Sequence, residues 1–232
     1  MGRFLIAAGR FRMEWLLAAA FREGRQLSTD EQLSGDWGLA YCHGNRLELV
    51  RADGRKAGTG VLKALLEIKT DMAVVYQQPP EAMAVLPGRS QPYSRYDRGT
   101  NWVFCYAGKI SQPERLFPGW HQTPGGLIKG ELLFAYVYDR FDVNAPVASL
   151  NEIVDGLGEE PELAFCLMSP ELVAVACHTD GRADNPARLW LGRGELLRVV
   201  GSGAVADLPG ISWELVPAQQ VIFIQRQRWA VI

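Results

Sequence analysis

The chain has 232 residues, 48% of them hydrophobic and 22% charged, with a formal net charge of -2 at pH 7. That length suffices to enclose a substantial core, as one large domain or two small ones. So small a net charge excludes the electrostatic footprint expected of a partner to nucleic acid or to an anionic membrane surface.

In chain order, Arg3 to Phe11 reads as a strand, after which Met13, Leu16, Leu17, Ala20 and Phe21 recur at helical spacing and make one apolar stripe. The apolar runs Phe4 to Ala8 and Leu16 to Phe21 mimic a signal sequence, but Arg10, Arg12 and Glu14 split them, so neither an h-region nor a membrane span forms. Ile6 stands where a myristoylation signal after Met1-Gly2 carries Ser or Thr. The arginines at Arg3, Arg10, Arg12, Arg22 and Arg25 are interrupted by Glu14 and Glu23 and read as a solvated helix face. Ser34-Gly35-Asp36 turns the chain into a strand from Trp37 to His43, and Gly44-Asn45 is a hairpin turn back through Leu47 to Ala52.

A second helix is expected near Val61 to Lys69, with Leu62, Leu65, Leu66 and Lys69 on one side, and Ala73 to Gln78 is a short strand. Pro79 to Thr100 reads as a long loop, which is either functional or conceals an element. Trp102 to Tyr106 is a strand. Glu131 to Phe141 is apolar nearly all round, which predicts a central helix covered on more than one side. Val147, Leu150, Val154 and Leu157 give a further helix that Gly156 and Gly158 help to end. Strands follow at Leu163 to Met168, Leu172 to His178, Leu189 to Leu191, Leu196 to Gly201, Ile211 to Val216 and Val221 to Gln225, with turns at Thr179-Asp180-Gly181 and Pro209-Gly210. Helices mixed with strands and then a strand-rich tail predict an α+β fold of stacked sheets flanked by helices. No linker, charge block or repeat divides it, so one domain over residues 1–232 is expected.

Chemistry-bearing residues are scattered. Cys42, Cys105, Cys166 and Cys177 sit singly in apolar segments, as reduced, buried cysteines do in a cytoplasmic protein. His43 and His178 each follow a cysteine directly, and strand neighbours point to opposite faces, so neither pair converges on one ion and no metal is expected. Asp139 with Asp142 fits a helix end, and Glu159 with Glu160 a solvated turn. Gly58-Thr59-Gly60 lacks the context of a phosphate loop, and Trp120 and Trp229 assign no partner. No intact catalytic constellation is present, and no cofactor is indicated.

Several segments in order resemble the class II glutamine amidotransferases of the N-terminal nucleophile superfamily, in the small single-domain form. Met1-Gly2-Arg3-Phe4-Leu5 is similar to that family's opening, where Met-Cys precedes a basic and two apolar residues. Gly35-Asp36-Trp37-Gly38-Leu39-Ala40-Tyr41 is similar to its Asp-Gly-Trp-Gly-Ile-Ala-Tyr segment, with the Asp one residue closer. Gln91-Pro92-Tyr93 stands where His-Pro-Phe is usual, and Trp102 to Ile110 resembles Trp-x-Phe-x-His-Asn-Gly-x-Ile. Glu131-Leu132-Leu133-Phe134 echoes Asp-Ser-Glu-x-Leu-Phe, and Trp213 to Ile222 resembles the closing Trp-x-x-Val-Pro and last strand. The resemblance spans nearly the whole chain and implies a four-layer α-β-β-α sandwich, with the site at one end of the two central sheets.

It also implies what the chemistry would need. The family's nucleophile is a cysteine freed at the N-terminus, with its α-amine, titrating near pH ~8, as the base. Here that position is Gly2, where removal of Met1 would leave the base without a nucleophile. The oxyanion donors come from an Asn-Gly turn, and losing one costs ~100- to 1000-fold in rate. Here the turn is Ala107-Gly108. The substrate's carboxylate and ammonium meet an Arg and an Asp in the family; those positions fall on Gln78 and Lys129, with Trp37 and Gly38 as further pocket positions. A single Cys-to-Gly change made to trap substrate would keep the Asn, Arg and Asp. The pattern therefore predicts a degenerate relative that binds a small amino-acid-like ligand or a protein partner. The alternatives are an amide or γ-glutamyl hydrolase with relocated chemistry, through Cys42 or Cys105, and a non-catalytic subunit of an amidotransferase complex.

Overall fold

A computed structural model describes residues 2–22, 37–52, 59–78, 90–97, 99–118, 128–158, 160, 162–179, 188–203 and 208–226. Its elements are β1 (Arg3–Arg12), α1 (Met13–Arg22), β2 (Trp37–His43), β3 (Arg46–Ala52), α2 (Thr59–Leu66), β4 (Lys69–Gln77), β5 (Tyr93–Asp97), β6 (Thr100–Lys109), α3 (Pro113–Leu116), α4 (Lys129–Arg140), α5 (Pro146–Leu157), β7 (Glu162–Met168), β8 (Leu172–Thr179), β9 (Trp190–Arg193), β10 (Leu197–Gly201), β11 (Ser212–Leu215) and β12 (Val221–Gln225). The Ser34-Gly35-Asp36 turn, the end of the Thr179-Asp180-Gly181 turn, Glu159, Trp120 and Trp229 lie outside the described residues.

Strands with an unbroken apolar run must be covered on both faces there, because successive side chains point to opposite sides. β1, β4, β7 and β8 have this character, and each is buried along most of its length. They build two antiparallel sheets, one of seven strands in the order β11-β9-β10-β1-β4-β2-β3 and one of five in the order β12-β8-β7-β6-β5. Phe4, Ile6, Met72 and Val74 on the first sheet pack with Val103, Cys105, Cys166 and Val175 on the second, so the sheets lie face to face. Leu5, Ala7, Ala73 and Val75 turn the other way, onto Met13, Leu16 and Leu17 of α1. The outer face of the second sheet, with Phe104, Phe165 and Leu167, is covered by Leu133 and Val137 of α4 and by Leu150 and Ile153 of α5. The result is the expected four-layer α-β-β-α sandwich.

Five expectations need correction. Lys69 begins β4 instead of closing α2, because it pairs with Arg12 across the sheet and tertiary pairing overrides local periodicity. α4 lies in an outer layer, not at the centre; its extra apolar positions are covered by packing with the sheet, α3 and α5. In α5, Val147 is 49% exposed, and Leu150, Ile153, Val154 and Leu157 form the buried stripe. Gly158, at φ +63, ends that helix, whereas Gly156 lies inside it, where a Cβ would strike the Tyr136 hydroxyl. Glu160 is not solvated: it is 2% exposed, and its carboxylate accepts the N–H groups of Ser111 at 2.6 Å and Gln112 at 2.9 Å, anchoring the start of α3.

The long loop conceals an element. Tyr93 to Asp97 form β5, an edge strand paired with β6, and only Tyr93 of its five residues is buried, which leaves little alternation to read. No described helix is long and apolar enough to cross a membrane. Phe104 stacks on Phe134 at 5.2 Å with an interplanar angle of 5° and meets Phe165 at 5.9 Å, joining sheet to helix. Phe104→Ala is expected to lower stability by about 3–5 kcal/mol, read from the urea unfolding midpoint.

Candidate functional site

The start of β1, the start of β2 and the end of β4 meet at one end of the sandwich, since Gln77 is in register with both Arg3 and Trp37. One step further along the same register sets Gln78 opposite Gly2. Arg3 Nε donates to Gln77 Oε1 at 2.9 Å and fixes this corner. The residue before Gln77 is Tyr76, and its side chain turns across Gly2. A β-carbon at Gly2 would collide with the Tyr76 hydroxyl and lie 2.8 Å from its Cζ.

From the second sheet, Gln91-Pro92-Tyr93 and Tyr106-Ala107-Gly108 reach the same end and are held together. Gln91 is 6% exposed, and its Oε1 accepts the Tyr106 N–H at 2.6 Å. The Pro92 carbonyl accepts from Arg51 Nε at 2.9 Å and from Arg51 Nη2. Gly38 lies beneath this segment, where a Cβ would strike the Gln91 carbonyl oxygen. Ala107 faces the inter-sheet core. Gly108 has φ +121, and a Cβ there would stand 3.0 Å from Leu163 Cα, so β6 and β7 approach each other as closely as they do only because it is glycine.

Helix α4 docks through Gly130, where a Cβ would lie 2.6 Å from Tyr106 Cε1 and 2.7 Å from Tyr93 Cε2. Before it, Lys129 Nζ donates to the Ile110 carbonyl at 3.0 Å, and Glu131 Oε2 accepts the Ile128 N–H at 3.0 Å. Burial raises the pKa of Tyr93, and Tyr106, Tyr76 and Glu131 raise it further. Burial likewise raises that of Tyr106. The site end is thus lined by neutral phenols where the resemblance places an ion-pairing pocket.

Among the positions singled out from sequence, Gly2, Gln78, Gly38, Ala107 and Gly108 lie at this end, and Lys129 borders it. Trp37 turns away: it is fully buried in the helix-facing core, edge-on to Phe21 at 5.9 Å. Tyr76 and Arg51 were not singled out. Tyr76 carries no signal beyond being a bulky residue two positions before Gln78, and Arg51 contacts a backbone carbonyl, which leaves no pattern in a sequence. Cys42 lies on β2 toward its far end, opposite Leu47. Cys105 is buried in the inter-sheet core, in register with Cys166. Among the described residues, no group of three His, Cys, Asp or Glu side chains is placed to hold a metal.

No family model and no curated protein matches the sequence. Solved structures share its fold. The glutamine phosphoribosylpyrophosphate amidotransferase from B. subtilis is 16% identical with a TM-score of 0.68, the match covering 98% of this chain and 48% of that one. A glutamine aminotransferase class-II domain protein from Silicibacter pomeroyi is 12% identical with a TM-score of 0.60, covering 96% of this chain and 94% of that one. A predicted glutamine amidotransferase from Pseudomonas aeruginosa is 14% identical with a TM-score of 0.56, covering 97% and 94%. The chain spans about half the length of the B. subtilis enzyme. Its fold is shared with these amidotransferase structures.

All four cysteines are free and buried. Burial pushes the Cys42 thiol up to about 12, with Arg226 opposing and Asp71 assisting, and pushes Cys177 up to about 11; it raises Cys105 and Cys166 as well. A thiol reagent at neutral pH is therefore expected to label none of the four quickly until guanidinium unfolds the protein. Because these folded values lie above the unfolded value of about 8.5, their contribution to stability is whole below that pH. It is lost as pH rises toward the folded values, so the urea midpoint should fall above pH about 8.5.

Proposed function

We propose that this chain, as a single domain, is a class II glutamine amidotransferase-like protein that has lost glutaminase chemistry and acts by binding a small amino-acid-like ligand or a protein partner. The observation that carries this is Gly2 under Tyr76. Attack on a carboxamide carbon needs an electron-rich atom beside it, and Gly2 offers no side chain, while the Tyr76 hydroxyl fills the volume its β-carbon would take. The remaining needs fail in concert. Ala107 supplies no side-chain amide to an oxyanion, Gln78 no fixed positive charge to a carboxylate, and Lys129 presents an ammonium where a substrate ammonium would need an anion.

The second reading is an amide or γ-glutamyl hydrolase with relocated chemistry, or a non-catalytic subunit of an amidotransferase complex. Buried, protonated Cys42 and Cys105 disfavour relocation, since the thiolate is the reactive form. The test is ammonia release from glutamine and γ-glutamyl compounds. No release above the blank is expected from the unmodified protein. Gly2→Cys alone should not restore it, because Tyr76 blocks the new side chain and the binding groups stay absent. Turnover by the unmodified chain would sink the proposal, and stable co-purification with a synthase would favour the subunit reading.

A further inference from the structure

The opposite end of the sandwich carries a cleft that the amidotransferase resemblance does not use. Ten strand residues separate it from Gly2, about 30 Å along β1. Two cavities, of about 680 and about 430 Å³, share Arg10, Phe11 and Arg12 as a common wall. The larger is of mixed character, with Cys42, His43, Lys69, Asp71 and Arg226 around it. The smaller is mainly apolar, with Trp15, Ala18 and Leu197, and has Glu14 at its edge.

The charges in this cleft are unequal in their freedom. Arg226 is committed through two of its three nitrogens: its Nε donates to Asp71 Oδ2 at 2.8 Å, and its Nη1 to the carbonyls of Gly44 at 2.6 Å and Pro170 at 3.1 Å. Asp71 is thereby ion-paired through Oδ2, while its buried Oδ1 has no hydrogen-bond partner among the described residues. The side chains of Arg10, Arg12 and Lys69 are exposed and make no hydrogen bond or ion pair with the described residues. Glu14 is the one unpaired carboxylate among the described residues lining the two cavities, so three free cations face a single free anion. Arg12 and Lys69 stand directly opposite each other on adjacent strands, a like-charge pairing that costs stability unless something negative lies between them.

The backbone is also shaped at this point. The β1–β4 register slips between Ala8 and Phe11, so that Gly9 and Arg10 oppose the single residue Asp71. Gly9 takes φ +132, with its backbone against the Leu196 carbonyl. A bulge of this kind re-aims its own side chains and those that follow, here Arg10 within it and Phe11 and Arg12 after it. Phe11 and Trp15 form the apolar floor, with ring centroids 6.3 Å apart.

We propose that this cleft binds a small organic anion, its phosphate or carboxylate held by Arg10, Arg12 and Lys69 and its aromatic or aliphatic body lying on Phe11, Trp15 and Leu197. Two guanidinium forks and an ammonium suit an oxyanion, and the adjoining apolar floor suits a ligand with a carbon skeleton over a bare ion. This site is independent of the reading of Gly2.

The test is titration calorimetry of the full chain at low ionic strength with 1-naphthyl phosphate, 1-naphthoate, inorganic phosphate and 1-naphthol. Saturable binding of at least one naphthyl anion is expected, with inorganic phosphate and naphthol each weaker by about tenfold or more, because each lacks half of the recognised structure. Whichever naphthyl anion binds tighter identifies the head group. Arg12→Gln combined with Lys69→Gln should weaken that binding at least about tenfold while leaving the melting temperature unchanged or higher, since it removes the cross-strand repulsion. Ala18→Glu, which adds charge to the apolar end, should weaken it too. Absence of saturable binding for both naphthyl anions, or binding undisturbed by the double variant, would overturn the proposal.

Discussion

The constraint on which this architecture depends is the dry space between two sheets packed face to face. Nothing with an unmet hydrogen bond is tolerated there, so the inner faces of β1, β4, β6, β7 and β8 carry residues such as Phe4, Ile6, Met72, Val74 and Val175. Small residues fill the remaining gaps: Ala8, Ala40, Ala107 and Ala164, and all four cysteines. The thiols are used as volume and not as reagents, which follows from the same dryness that suppresses their ionisation. Chemistry is displaced to the rims, where strands finish and side chains can meet water.

Much of the fold could be read directly because these strands have an unmistakable signature. Trp37 to His43 with the Gly44-Asn45 turn, and the run from Leu163 through His178, came out with bounds within a residue or so, since continuous apolar stretches bounded by turn residues have few other solutions. What was not legible shares a cause. β5 is an edge strand whose polar residues face solvent, α3 is four residues long and is pinned by a carboxylate 48 and 49 positions from the N–H groups it accepts, and Lys69 is claimed by a partner strand. In each case a distant contact decides, and local pattern has no access to it. The site divides in the same way. Gln91 and Tyr106 both lay in recognised motifs and do meet, whereas the obstruction at Gly2 comes from Tyr76, in a strand segment that by itself looks like ordinary core.

A recurring device at and near the site end is the seating of a phenol ring on a glycine backbone: Tyr76 on Gly2, Tyr93 and Tyr106 on Gly130, and Tyr136 on Gly156. Each ring occupies space that any other residue in place of the glycine would need. The two members of each pair are therefore energetically coupled, and a change at one is tolerated best when the other shrinks. At Gly130 and Gly156 this sets how closely α4 lies to the sheet and to α5. At Gly2 the same geometry closes off the space in front of the backbone. Any larger residue at Gly2 would therefore require the Tyr76 ring to give way.

The order of strands has a consequence for the birth of the molecule. β1, the earliest strand, sits mid-sheet between β4 and β10, and its second neighbour is completed only at Gly201. A ribosome adding roughly 5–20 residues per second takes on the order of ten seconds or more to deliver that neighbour. Throughout that interval one edge of β1, with the apolar side chains of Leu5, Ile6 and Ala7, stands open as a template for any passing strand. The nascent chain is therefore most exposed to mispairing before β10 arrives to cover that edge.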